Sequence, residues 1–264
     1  MKIEVNDVSF YCETITQNTN APWITFSHAL ANNLSVWDDV VAAFKSDYRI
    51  LRYDQRGHGK TQAVPGPYNF PMLMKDVVGI WDQLGIDKSH WVGLSIGGMI
   101  GYGLAIASPD RLHSLVACDS RPDAPPDYAA YFQSRIDKTR DVGMAGVVDS
   151  TIARWFTEES IQKNIPAIDK VRAMILSTNP MGQEGCCKAL QALSFGTRLH
   201  EISIPTLVIG GAKDKGAPPA ILAEAAAKIP GARHSVVPDA GHIVAIENPS
   251  AFIAELKAFL AGLG

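Results

Sequence analysis

The stretch Gly93-Leu94-Ser95-Ile96-Gly97 sets a serine between glycines two positions away on either side. The apolar run His90–Leu94 precedes it and a helix-like run, Gly97–Ala107, follows. That order fits a sharp strand-to-helix turn that pushes a hydroxyl into the open. Bulkier side chains at the flanking positions would collide, hence the glycines. A helix starting at the serine also aims its positive end at any oxyanion formed nearby. A glycine-rich turn can be merely structural, but a strand before it and a helix after it are what a nucleophile of this kind requires. A serine hydroxyl is still a poor nucleophile alone, so a base and a carboxylate must lie elsewhere in the chain.

Histidine is the base suited to neutral pH. Of seven histidines, His242 lies in the loop Pro238-Asp239-Ala240-Gly241-His242, just past the run His234–Val237. A loop at the carboxyl end of a parallel strand opens on the same rim as Ser95. His90 and His113 sit in strand-like runs and read as packed or edge residues, whereas His200 and His234 precede apolar strands and read as solvent-facing. His28 and His58 fall in loops at the functional rim. The carboxylate that fixes the tautomer of the base is assigned to Asp214, in the turn after Thr206–Gly210. The chain order is then Ser95, Asp214, His242. Asp119, at the end of Leu112–Cys118, is the competing acid; Asp123 is more distant, and Asp239 reads as a turn residue. Acyl transfer also needs two donors facing the oxyanion. The turn itself makes the Ile96 N–H one of them, and the second should come from the loop Ser27-His28-Ala29-Leu30.

The elements that must position these residues are legible as alternating patterns. Lys2–Val5 and Val8–Tyr11 read as a hairpin turning at Asn6–Asp7. Trp23–Ser27 and Tyr48–Tyr53 follow as strands, with the amphipathic stretch Leu34–Phe44 between them. Short apolar runs separated by helical patterns indicate parallel strands with crossover helices. Phe252, Leu256, Phe259 and Leu260 share one face of a closing helix. Between Arg121 and about Leu193 no buried strand is apparent, and patterns such as Gly146–Phe156 are helical. The expected organisation is one α/β core, residues 1–120 and 196–264, carrying a helical cap insertion over residues 121–195.

Composition narrows the function classes. The 264 residues are 47% hydrophobic and 19% charged, the balance of a compact soluble domain. A net charge of -3 gives no reason to expect nucleic acid or an anionic membrane as partner. No export leader or membrane span is apparent, so a cytoplasmic protein is expected. Cys12, Cys118, Cys186 and Cys187 form neither a disulfide framework nor a zinc-ligand pattern and read as reduced thiols. No residue cluster implies a metal, no phosphate-binding loop is present, and the hydrolytic chemistry above needs no cofactor.

Taken together, the chain resembles the α/β-hydrolase superfamily over essentially its whole length. The resembling pieces are SHAL after the third strand, Asp54-Gln55-Arg56-Gly57-His58-Gly59-Lys60-Thr61 after the fourth, GLSIGG, and GHIVAIENPSAF near the end. The resemblance implies an α/β fold: a mostly parallel eight-stranded sheet flanked by helices, with a helical cap after strand 6. It makes Leu30 the second oxyanion donor, although Ala29 stands where relatives carry glycine, and it makes His28 a loop-organising residue. It also makes Asp54–Gly59 a structural turn despite its catalytic look.

Within the superfamily the chain is most similar to the 3-oxoadipate enol-lactonase and carboxylesterase group, on FSHALANNLSVWDDV, YDQRGHGKT, GLSIGGMIG and Ala153-Arg154-Trp155-Phe156-Thr157. This implies a serine hydrolase that cleaves a small ester or lactone through an acyl-enzyme, with an anionic enol-lactone of aromatic catabolism as one candidate substrate. Trp155, Arg154 and Arg121 are the expected substrate contacts, from a pool that also holds Arg135, Arg140 and Arg172. A helical aromatic such as Trp155 is otherwise core, and most arginines are otherwise solvated. Two other readings stay open: a C–C bond hydrolase of ring-fission products, and a non-catalytic small-molecule receptor on the same fold.

Overall fold

In the computed structural model, which describes residues 1–263, the chain begins with β1 (Lys2–Val5) and β2 (Val8–Ile15), turned at Asn6 and Asp7 with φ of 50° and 60°. Asparagine and aspartate tolerate that left-handed geometry, which suits a two-residue hairpin. β2 runs four residues beyond the predicted strand, because Cys12–Ile15 leave β1 and pair with the next neighbour. That neighbour is β4 (Arg49–Tyr53), and the sheet continues with β3 (Trp23–Ser27), β5 (Ser89–Leu94), β6 (Leu112–Cys118), β7 (Thr206–Gly211) and β8 (Arg233–Val237). The spatial order is β1-β2-β4-β3-β5-β6-β7-β8, with β1–β2 and β2–β4 antiparallel and all later pairs parallel. Every residue of β5 and β7 is buried, as expected of strands covered on both faces.

The predicted amphipathic stretch after β3 divides into a 3-10 turn, Leu34–Trp37, and α1 (Asp38–Phe44). Asn33 caps the turn by accepting from the Ser35 N–H at 3.0 Å. α2 (Phe70–Leu84) was not singled out by pattern, although Phe70, Leu73, Val77, Ile80 and Trp81 form a buried stripe at helical spacing. Asn69 caps its start and Gly85, at φ 65°, ends it. α3 (Ile96–Ala107) leaves the end of β5 and packs against α2 and on β5 and β6.

Five helices lie between β6 and β7: α4 (Pro126–Val142), α5 (Ala145–Trp155), α6 (Glu158–Gln162), α7 (Pro166–Ser177) and α8 (Pro180–Gln191). α4 packs on α5 and α8, and α5 packs on α7. The chain enters and leaves this group side by side, since Ala124 N donates to Leu193 O and Phe195 N donates to Pro122 O, both at 2.9 Å. The fold closes with α9 (Pro219–Ala227), the short α10 (Val244–Glu247) and α11 (Pro249–Ala261), which packs against α1. Among the described residues no helix is long and apolar enough to cross a membrane. The four cysteines are buried free thiols.

Candidate active site

Ser95 occupies the step between β5 and α3 with φ 54° and ψ -117°, a conformation non-glycine residues rarely adopt. The surroundings hold it there. Its N–H donates to Cys118 O at 2.8 Å, and the Ser120 hydroxyl is shared between the Ser95 and Cys118 carbonyls at 2.8 and 2.6 Å. The two glycines answer to the same crowding: a Cβ on Gly97 would overlap the Ser27 carbonyl, and one on Gly93 would overlap the Gly97 carbonyl. The sequence therefore folds the turn so that the backbone absorbs the strain and the hydroxyl faces the rim.

The loops after β7 and β8 bring two further side chains to that hydroxyl. His242 Nε2 lies 3.0 Å from Ser95 Oγ, and His242 Nδ1 lies 2.9 Å from Asp214 Oδ2. An ionised carboxylate only accepts, so the ring proton belongs on Nδ1 and Nε2 is left to accept from the serine. All three residues are nearly buried, at 7% exposure for Ser95, 4% for Asp214 and 7% for His242. Burial opposes the charge on Asp214. His242 and the N–H groups of Gly216 and Ala217 outweigh it and hold the carboxyl below its usual range.

Asp119, the competing acid, is fully buried at the end of β6 and makes no hydrogen bond to His242. Its Oδ1 accepts from Gly211 N at 2.9 Å and its Oδ2 from Val244 N at 3.3 Å, which ties β7 to the helix after His242. Burial first, and then the adjacent Asp214 charge, push its carboxyl well above the usual range. The two neighbouring carboxyls are thus pushed in opposite directions, Asp119 up and Asp214 down. Asp123 lies elsewhere, accepting from Gly196 N, and Asp239 is a turn residue at φ 51°.

At the β3 end, Asn32 N donates to Ala29 O, closing a turn that carries Leu30 into the pocket. The left-handed residue is Ala31, at φ 56°, and not Ala29. His28 braces the turn: Nδ1 donates to Ala29 O at 2.8 Å while Nε2 accepts from Gln55 N at 2.9 Å. Ile96 is the first residue of α3, where N–H groups lack intrahelical acceptors. Leu30 thus lines the same pocket as Ser95, and Ile96 follows it at the start of α3.

The helices between β6 and β7 roof this site. Trp155 O accepts from His242 N at 2.7 Å, and the Trp155 ring centroid is 5.9 Å from that of His242. Glu247 bridges roof and floor, accepting from Thr157 N at 2.8 Å and Gly241 N at 2.7 Å. The pocket between them is lined by Ser95, His242 and Leu30 below and by Tyr128, Phe132 and Trp155 above. Arg121, Arg135 and Arg154 complete the lining, whereas Arg140 pairs with Glu184 and Arg172 with Asp149 outside it. Among the expected substrate contacts, Arg121, Arg154 and Trp155 all line the pocket.

Sequence reasoning left Arg135 undistinguished and did not single out Ser120 or Glu247. Arg135 had a signal: Tyr128, Tyr131, Phe132 and Arg135 share one face at helical spacing. Among the described residues no group of histidine, cysteine, aspartate and glutamate could hold a metal ion.

A strained serine after β5, a carboxylate after β7 and a histidine after β8, all at one rim of a mostly parallel sheet, define a class, and the sequence agrees: the chain belongs to the alpha/beta hydrolase fold family, whose pattern matches residues 22–249. It is 31% identical to 3-oxoadipate enol-lactonase 2 of Acinetobacter baylyi, covering 98% of this chain and 95% of that one. The crystal structure of the enol-lactonase from Burkholderia xenovorans LB400 superposes with a TM-score of 0.95 at 34% identity, covering 99% of this chain and all of that one. A putative carbamate hydrolase of Caulobacter segnis is 30% identical, over 90% of this chain and 91% of the other.

Proposed function

We propose that this α/β-fold hydrolase of the ester- and lactone-cleaving type acts through an acyl-enzyme on Ser95, on a small anionic lactone of the 3-oxoadipate enol-lactone kind. The observation that carries the reading is the hydrogen-bonded line from Ser95 Oγ through His242 to Asp214 at the pocket floor. Ser95 Oγ attacks the acyl carbon as His242 Nε2 takes its proton, and Asp214 stabilises the imidazolium. The N–H groups of Leu30 and Ile96 receive the oxyanion. Collapse breaks the acyl–oxygen bond, and His242 returns the proton to the leaving oxygen, which in a lactone stays tethered to the acyl group. Water, deprotonated by His242, then cleaves the acyl-enzyme and releases the acid. The roof helices exclude bulk water and bound the substrate's size. The enol-lactone preference is supported by the enol-lactonase relatives and by the arginines facing the serine.

The test is direct. An alkyl phosphonate should label Ser95 covalently in the wild type, and Ser95→Ala should lower p-nitrophenyl acetate turnover by a factor of about 10³ or more. Wild-type turnover in that variant overturns the nucleophile. A panel of short esters, neutral lactones and enol-lactones should then show highest kcat/KM on the anionic enol-lactones.

A further inference from the structure

A 3-oxoadipate enol-lactone keeps one free carboxylate, the other being tied up in the ring. The pocket holds more positive charge than one carboxylate answers. Arg121, Arg135 and Arg154 all line it, and none has a carboxylate within salt-bridge distance among the described residues. Of the acids near by, Asp214 is engaged with His242 and Asp119 has its carboxyl pushed up by burial, while Asp123 and Glu224 share an outer hollow with Arg121 but form no ion pair with it. The three guanidiniums lining the pocket thus form a surplus of unpaired positive charge. Enclosing guanidinium charge without a counter-ion is costly, so such a surplus marks a place where anions bind.

The arginines also differ in what they already hold. Arg135 is 5% exposed and held by neutral partners: Nη1 donates to Thr151 Oγ1 at 2.6 Å and to Tyr131 OH at 3.3 Å. With the Gln183 amide oxygen turned toward it, Nη2 and Nε donate at 3.1 and 3.2 Å. Arg121 and Arg154 make no such bonds, and Arg121 Nε is buried without a partner. Each instead sits over its own tyrosine ring, Arg121 over Tyr128 and Arg154 over Tyr131, both with Cζ 4.6 Å from the ring centroid. A cation–π contact of this kind holds a guanidinium in place without using its N–H groups, which stay free for a carboxylate. The two tyrosines are three residues apart on α4, so the arginines stand side by side on neighbouring supports.

We infer that the substrate is a lactone or ester bearing two carboxylates, one held by Arg121 and one by Arg154, with Arg135 a positioning residue that fixes Tyr131. The inference rests on the hydrolytic reading above and, among small anionic lactones and esters, moves the preferred substrate from the monocarboxylate to the dicarboxylate. Binding a dianion cancels the surplus charge and gives both unpaired guanidinium edges an acceptor.

A matched lactone series tests it: γ-butyrolactone, 5-oxotetrahydrofuran-2-carboxylate and 5-oxotetrahydrofuran-2,3-dicarboxylate carry zero, one and two carboxylates on the same ring. With wild-type enzyme followed by proton release, kcat/KM should rise about tenfold or more with each carboxylate. Arg121→Gln and Arg154→Gln should each reduce the dicarboxylate-to-monocarboxylate ratio to near one, whereas Arg140→Gln, outside the pocket, should leave the ratio as it is. A dicarboxylate no better than the monocarboxylate in the wild type overturns the inference, even if an arginine variant fails to fold. So does an equal loss of both substrates in the two variants, which would mean that both arginines hold one carboxylate. Titration calorimetry of Ser95→Ala with the same three lactones separates the two levels. Ordered binding without wild-type turnover of any ester or lactone would leave the dianion site standing and remove the hydrolytic reading. Turnover without the ordering would do the reverse.

Discussion

The turn after β4 and the pocket above Ser95 contain the same kinds of side chain, aspartate, arginine and histidine, yet they are built to opposite ends. In the turn the charged groups close on one another. Asp54 accepts from Leu34 N and Lys60 N, each at 2.8 Å, and Arg56 forks onto Asp76 through two bonds of 2.6 Å. His58 Nδ1 meets the Arg56 carbonyl at 3.1 Å, leaving only neutral atoms, His58 Nε2 and Gln55 Oε1, without partners. In the pocket the opposite holds: Arg121 and Arg154 have no acceptor, and the serine sits on a strained backbone. What separates a structural cluster from a functional one here is unsatisfied charge, and residue type alone does not reveal it.

The largest effect should come from cutting the line at the pocket floor. Asp214→Asn keeps the shape of the side chain but no longer dictates the His242 tautomer, so kcat should fall by a factor on the order of 10³ to 10⁴. Thermal unfolding should shift little. Steady-state kinetics beside a melting curve measures both, and a loss of stability in place of turnover would erase the contrast with the turn.

The mirror-image experiment belongs to the turn. Arg56→Ala leaves Asp76 buried without its cation, which should cost about 3–5 kcal/mol of stability. Turnover per folded molecule should stay near wild type. Urea unfolding combined with active-site titration by a phosphonate separates the two quantities, and a selective loss of turnover would assign the turn a role in the chemistry.

A smaller effect should appear with pH. Burial lowers His28 to about 4 and His58 to about 3, from an ordinary 6.5. For His28 the geometry agrees, since Nε2 is already an acceptor for Gln55 N. The unfolded chain gains these protons near pH 6.5 and the folded chain does not, so this stability is complete above 6.5 and is lost as pH falls toward 4. The melting temperature should drop on the order of 5 °C between pH 7 and 5. His58→Gln should flatten that slope; an unchanged slope would mean that the buried histidines do not carry it.

Much of this contrast could be read before the structure, for a physical reason. Strands that are largely buried leave apolar runs, so β3 to β7 were visible to within a residue, and the mostly exposed edge strand β8 showed through its closing valines. The loops at their carboxyl ends could then be assigned to one rim, which paired Ser95 with His242 and Asp214. Long-range closure was less legible. The extension of β2 to Ile15 depends on pairing with Ile50 of β4, 35 residues on, and α2 needed its buried stripe to be recognised beyond the proline in its first turn. The direction of an arginine depends on what it stacks against: only Tyr128 and Tyr131 distinguish Arg121 and Arg154 from Arg140, which looks alike in sequence.

Asp119 combines both kinds of region: it borders the pocket, yet it is satisfied like a residue of the turn. Its carboxyl, pushed up beside Asp214, can serve as a donor to it and accepts from Gly211 N and Val244 N. Asparagine can reproduce the donor with its amide and the Gly211 contact with its oxygen, losing only the longer bond to Val244. Asp119→Asn should therefore lower kcat/KM less than about tenfold, which is about 1.4 kcal/mol. If Asp119 oriented His242, the loss would match that of Asp214→Asn. Stability gives a second reading of opposite sign to the histidines. A carboxyl raised in the folded state contributes fully below its unfolded value, about 3.9, and loses that contribution as pH rises, because the unfolded chain ionises first. Asparagine never ionises, so from pH 4 to 7 the melting temperature of Asp119→Asn should rise relative to wild type. A difference that stays constant with pH would place an ionised Asp119 beside Asp214, and the two carboxylates would then need a cation that the described residues do not supply.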